Sequence, residues 1–209
     1  MLMNWVILDM MGVIFEVADD VNDLLVPYIQ GRDSSLSSKR IDELYTKASL
    51  GRISSYDLWS QLGFESEYPD IERDYLDSCL KLDPDFMNIA RSLAGSYSLA
   101  VLSNDVKEWS SYLRSKFGLD ELFKVVVISG EVGYRKPGRE IYTGLLEQIH
   151  ESPSSCVLVD DRSKNLYAAS QLGMKTIKFV REVVANDSSG DFEITSFSQL
   201  PEIVGRLFK

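Results

Sequence analysis

Short apolar runs that stop abruptly at polar residues constrain this chain more than any other feature. Residues 3–8 run apolar into Asp9, SYSLAVL stops at Ser103 and Asn104, and CVLV stops at Asp160 and Asp161. VVVIS is a further run of the same kind, and MKTIKFV, though interrupted by polar residues, reads as another strand. Unbroken apolar stretches of four to eight residues suit strands buried on both faces. Between them lie FMNIARSLAG, DVKEWSSYLRSKFG, REIYTGLLEQIH and NLYAASQLG, whose apolar positions recur at helical spacing. Strands alternating with helices predict an α/β fold with a mostly parallel sheet covered on both sides, because each crossover must return the chain before the next strand starts. The carboxyl ends of the strands then gather on one edge, where Asp9, Ser103, Asp160 and Asp161 converge. The segment VVANDSSGD reads as a surface loop, and TSFSQLPEIVGRLF closes the fold as a short helix.

The texture changes between the first strand and the rest. VNDLLVPYI, SSKRIDELYTKASLG, SYDLWSQLG and PDIERDYLDSCLKL read as short amphipathic helices punctuated by Gly, Ser and Pro. The organisation this predicts is a core of residues 1–14 and 86–209 with a helical cap over 15–85. At 209 residues, a second full-sized domain is not expected beside that core.

Charge narrows the partners. Acidic side chains outnumber basic ones 32 to 22, and the formal charge of −10 opposes nonspecific binding to nucleic acid or an anionic membrane. The aromatic residues form no repeating platform for bases. The opening MLMNWVIL lacks a basic leader and reaches Asp9 before a bilayer is spanned, so it reads as a buried strand and cytoplasmic residence is the expectation. Cys79 and Cys156 have no metal-binding spacing and read as structural thiols.

Each polar residue at the sheet edge has a plain reading and a chemical one. Asp9 alone is a turn or cap aspartate, but a carboxylate there can also act as a nucleophile, with Gly12 letting the backbone approach a ligand. Ser103 and Asn104 suit a helix-entry turn or the binding of phosphoryl oxygens. Lys136 is a surface lysine or a compact positive charge for an anion. Adjacent Asp160 and Asp161 repel one another unless a cation or firm hydrogen bonds compensate them. His150 reads as a helix-terminal residue, and Tyr56 and Trp59 as packing.

Taken in order, LDMMGVIF, VLSND, GYRKP and LVDDRSKN resemble the four signatures of the haloacid dehalogenase superfamily of aspartate-nucleophile hydrolases. The long helical interval after the first resembles its C1-type cap, and GRISSYDLW resembles a cap segment of its sugar-phosphatase-like members. The resemblance implies a Rossmann-like core. It also implies Asp9 as nucleophile, Ser103, Asn104 and Lys136 as phosphate ligands, and Mg²⁺ held by Asp9, the Met11 carbonyl and Asp161. Gly12, Asp160 and Asn165 take supporting positions. The implied partner is a small phosphorylated metabolite; no protein partner is indicated.

Met11 departs from the pattern. Many phosphatases of the superfamily carry a second aspartate there, which protonates the departing alcohol, and a methionine side chain cannot. Glu16, Asp19 and Asp20 lie near in sequence, without being placed at a leaving oxygen by it. Three functions stay open: Mg²⁺-dependent hydrolysis of a small phosphomonoester such as a sugar phosphate, a noncatalytic phosphate-ligand sensor, and a 2-haloacid dehalogenase. The acidic VDDRSKN differs from the SSN-type signature of dehalogenases and favours the first.

Overall fold

The structure is a computed structural model, and it describes residues 3–17, 19–181 and 190–209. Strand β1 is Trp5–Leu8, and the chain then enters an insertion through a π-helical turn, Asp20–Leu25. Four helices follow, α1 Val26–Gln30, α2 Ser38–Ala48, α3 Ser55–Gln61 and α4 Asp70–Cys79. The remainder alternates as α5 Phe86–Ala94, β2 Ser98–Ser103, α6 Lys107–Phe117, β3 Val125–Ile128, α7 Ser129–Val132, α8 Arg139–Ile149, β4 Cys156–Asp160, α9 Ser163–Ser170 and β5 Lys175–Phe179. It ends with β6 Phe192–Ile194 and α10 Leu200–Leu207.

The six strands form one sheet in the order β3-β2-β1-β4-β5-β6, every neighbouring pair parallel. This is the architecture that the alternation of apolar runs and helices predicts. Strand β6 is a difference: FEI is three residues long with an exposed glutamate between two apolar positions, too short to carry a readable period. Most of the loop expected over VVANDSSGD lies outside the described residues. None of the described helices is long and apolar enough to cross a membrane.

Alternate residues of the strands feed two apolar layers. Trp5 and Ile7 pack with Ala100, Leu102 and Leu158 against Ile141 and Leu145 of α8 and Leu166 of α9. Val6 and Leu8 face the opposite layer, which is continuous with the core of the insertion. There Glu72 of α4 accepts hydrogen bonds from both Trp59 Nε1 at 2.9 Å and Trp109 Nε1 at 2.7 Å, joining α3 and α4 to α6. Two chain crossings connect insertion and core, and they run side by side. Glu16 N–H donates to the Lys81 carbonyl, Asp83 N–H to the Ile14 carbonyl, and Phe15 bridges Leu82 in antiparallel register. Arg181, just beyond β5, clamps them by donating to Asp83 Oδ2 at 2.6 Å and to the carbonyls of Gly12 and Val13.

Register then fixes the functional edge. Leu8 stands opposite Val101 on one side and Val159 on the other, so the residues that follow emerge level with one another. Because β1 connects first towards β2 and β3, and the chain later crosses to β4 on its other side, the strand order reverses beside β1. A crevice opens outside the strand ends at such a reversal.

Candidate active site

Asp9, Lys136 and Asp160 meet at that reversal. Lys136 Nζ lies 2.8 Å from Asp9 Oδ2 and 2.7 Å from Asp160 Oδ2, with all three side chains at least nine-tenths buried. The loop carrying Lys136 is held by Asn104, whose Oδ1 accepts from Lys136 N–H at 2.7 Å while its Nδ2 donates to the Lys136 carbonyl at 2.9 Å. The side-chain amide of Asn104 is thus committed to positioning the lysine, a clip that the SND sequence does not reveal. Ser103, at the end of β2, is buried, and its Oγ has no hydrogen-bond partner among the described residues.

Asp160 is the most tightly held of the acids. Besides Lys136 it accepts from Arg162 N–H at 2.8 Å and from Asn165 Nδ2 at 3.0 and 3.1 Å. Asp161 is different: its Oδ1 is buried with no hydrogen-bond partner among the described residues. Gly12 explains how Asp161 comes so close to the first loop. Its φ is +80°, and a Cβ at this position would sit 2.5 Å from Cγ and Oδ2 of Asp161, so a side chain here meets both a backbone penalty and a collision.

Charge is crowded here. Burial pushes the Asp9 carboxyl up to about 7, with Asp160 adding to the rise while Lys136 pulls against it. Burial, then Asp9 and Asp160, push Asp161 up to about 8. Burial opposes the charge on Lys136, but Asp160 and Asp9 outweigh it and raise the ammonium above its ordinary range. Crowded carboxylates and a buried oxygen without a partner among the described residues are features that a bound cation would satisfy. Asp9, Asp160 and Asp161 can bring three ligand oxygens within 4.8 Å of one another, an all-oxygen set that fits a hard divalent cation.

Above this cluster is a cavity of about 120 Å³. The core contributes Asp9, Met11, Asn104, Arg135, Arg162 and Asn165 to its wall. The insertion contributes Asp19 and Asp20 at the π-helical turn and Asp42 and Tyr45 on α2, among others. The sequence leaves the reach of Asp19 and Asp20 open, and it singles out neither Tyr45 nor Arg162 as a cavity residue. Tyr45 sits at a buried helical position indistinguishable from packing, whereas Arg162 carries a signal in directly following the paired acids. Arg135 lines the cavity, donates to Ser49 Oγ and lies over the Tyr45 ring. Arg139 is exposed at the start of α8.

Neither Tyr56 nor Trp59 lines this cavity. Trp59 is buried on Glu72, and Tyr56 is 40% exposed and bonds Glu65. His150 is exposed and caps α8 in the left-handed conformation. Cys156 is buried in β4 and Cys79 half-buried at the end of α4, both as free thiols.

A parallel sheet with a helical insertion after its first strand, and a buried lysine between acids at its carboxyl edge, define a class of α/β hydrolases. The chain belongs to the haloacid dehalogenase-like hydrolases, whose family description matches residues 3–173. It is 31% identical over 109 residues to a glyceraldehyde 3-phosphate phosphatase of Pyrococcus furiosus, covering 49% of this chain and 45% of that protein. The matched region thus spans about half the length of that relative. Among solved structures, a HAD phosphatase from Thermococcus onnurineus superposes with a TM-score of 0.72 at 23% identity, covering 97% of this chain and 98% of that one. A 2-haloacid dehalogenase from Pseudomonas syringae pv. Tomato also reaches 0.72, at 17% identity over 98% and 99% of the two chains. At these identities the structural likenesses establish the fold and do not separate the two chemistries.

Proposed function

We propose that the protein hydrolyses a small phosphomonoester, such as a sugar phosphate, through an aspartyl-phosphate on Asp9 and with the help of Mg²⁺. The observation that carries this reading is Asp161: a half-buried acid clustered with Asp9 whose buried Oδ1 has no hydrogen-bond partner among the described residues, in a group with more carboxylates than its lysine compensates. Displacement of halide by a carboxylate has no need of such a site. The phosphatase name of the Pyrococcus relative supports the same choice.

In this reading Asp9 attacks phosphorus through one carboxylate oxygen, and the alcohol leaves. Lys136 remains charged and neutralises the transferring group, positioned by Asn104. Ser103 supplies a hydroxyl donor from the end of β2. Asp9, the Met11 carbonyl and Asp161 would hold Mg²⁺, which supplies charge stabilisation for the phosphoryl oxygens. Gly12 keeps the first loop against Asp161, and Asp160 with Asn165 anchors Lys136. The cavity of about 120 Å³ suits a small leaving group, and its carboxylates and arginines suit a hydroxylated one. Residues 15–85 serve as the cap over this space.

The test is phosphate release from a panel of small phosphomonoesters with and without Mg²⁺, for the wild type and D9N. Metal-dependent release that D9N abolishes while keeping its fold is the expected result. Saturable phosphate-ligand binding without turnover would instead favour a sensor, and metal-independent halide release from a 2-haloacid would favour dehalogenation.

A further inference from the structure

A leaving alkoxide needs a proton, and Met11 has none to give. We infer that Asp20, at the entrance to the insertion, protonates the leaving oxygen and then deprotonates the attacking water. This inference rests on the phosphomonoester reading above. Asp20 lines the same cavity as Asp9 and Met11, is only 7% exposed, and holds its Oδ2 2.8 Å from the Tyr45 hydroxyl.

The other acids around the cavity fit the task less well. Asp19 accepts from Asn22 N–H at 3.0 Å and Asn22 Nδ2 at 2.9 Å, and these bonds, with Arg162 nearby, bring its carboxyl below the ordinary value despite partial burial. It therefore stays ionised. Asp42 is exposed on α2, in contact with solvent rather than in the shielded part of the wall. The Tyr45 phenol is driven well above its ordinary value by burial and by Asp20 and Asp105, so it stays neutral. Burial opposes the charge on Arg162, but Asp161, Asp20 and Asp19 outweigh it, so Arg162 keeps its proton.

Asp20 differs from all of these. Burial raises its carboxyl above the ordinary value, against the Tyr45 hydrogen bond and the charge of Arg162; Asp19 adds to the rise and Arg135 opposes it. A buried carboxyl whose protonated form is favoured in this way, in the wall of the cavity that Asp9 also lines, is suited to hand a proton to a leaving oxygen. The Tyr45 hydroxyl also reaches the Asn104 carbonyl at 3.2 Å. It can therefore donate to Asp20 when that group is ionised and turn to Asn104 when it is protonated. This ties the acid on the insertion to the end of β2 that positions Lys136.

The proton balance closes over one turnover. As the Asp9 oxygen bonds to phosphorus, the P–O bond to the alcohol breaks and the proton of Asp20 passes to the departing oxygen. Water then attacks the aspartyl-phosphate and gives its proton to Asp20, and the bond between phosphorus and Asp9 breaks. Phosphate leaves with Asp9 as carboxylate and Asp20 protonated again.

The experiment compares wild type and D20N on an alkyl phosphate and on p-nitrophenyl phosphate, whose leaving group needs no proton. For the alkyl ester, kcat/KM should fall by about 10²-fold or more, as expected for loss of a general acid. For the nitrophenyl ester the fall should be under about tenfold. D20E should recover part of the alkyl activity. Equal losses on both esters, or no loss on either, would overturn the assignment.

Should D20N fail to fold, the wild type carries the test by itself. With an internal acid, log kcat/KM varies only shallowly with the pKa of the leaving alcohol, and a steep dependence would contradict the proposal. Failure of the underlying reading looks different: wild type would then release phosphate from neither ester.

Discussion

The ammonium of Lys136 lies 2.8 Å from Oδ2 of Asp9, enclosed by protein and shared with Asp160 at 2.7 Å. This pairing does two jobs that pull in one direction. It holds the Asp9 carboxylate at a fixed point on the sheet edge, and in the proposed reaction it places positive charge where a phosphoryl group would arrive. It also makes the site expensive to dismantle, because removing the lysine leaves two buried acids facing each other.

Lys136→Ala should accordingly destabilise the protein by about 3–5 kcal/mol, the usual cost of breaking a buried pair from one side. Phosphate turnover should be lost as well. Chemical denaturation checks the first point, and a change below about 1 kcal/mol, within the range of surface pairs, would show that the lysine is not structurally coupled to its acids.

A divalent cation should relieve the repulsion among Asp9, Asp160 and Asp161. Mg²⁺ at about a hundred times its dissociation constant should stabilise the wild type by about 2.7 kcal/mol. Asp161→Asn should abolish most of that gain while unfolding normally in metal-free buffer. Equal stabilisation of both proteins in thermal scans would place the cation elsewhere.

Gly12→Ala should cost about 1–2 kcal/mol for the left-handed backbone alone. The added methyl would also meet the Asp161 carboxyl at 2.5 Å. Titration of Mg²⁺ binding should therefore show a weakened site. Unchanged affinity would mean that Asp161 can shift without consequence.

Asp105 gives a pH signature apart from the metal cluster. Burial drives its carboxyl well above the ordinary value and Asp20 adds to the rise; Val106 N–H donates to Oδ1, while Oδ2 has no partner among the described residues. The folded state thus binds this proton more tightly than the unfolded one. Stability contributed by the protonated form is present at low pH and falls as pH rises from about 4, where the unfolded group ionises, towards the folded value. Asp105→Asn should flatten that decline in melting temperatures measured across pH 4–7, and parallel curves would contradict the assignment.

Much of the fold and of the sheet edge is legible in the sequence. Unbroken apolar runs ending at Asp9, Ser103 and Asp160 carry both the strands and their polar tips, because burial on two faces leaves no room for another pattern. What escaped the sequence depends on distance across the chain. Tyr45 reaches Asp20 and Asn104 only because α2 folds over the end of β2. The Asn104 clip exists only once the Lys136 loop lies beside it. Strand β6 takes its identity from pairing with β5, as Ile177 stands opposite Phe192, and its own three residues carry no such mark.

In the proposed reaction Asp9 becomes covalently phosphorylated. Rapid mixing with a phosphomonoester in Mg²⁺, an acid quench and peptide mass spectrometry test it most directly. A transient phosphoryl adduct on the peptide at Asp9, absent from D9N, is the expected result. Steady phosphate release with that peptide unmodified at every time point, or an adduct on another residue, would contradict the account.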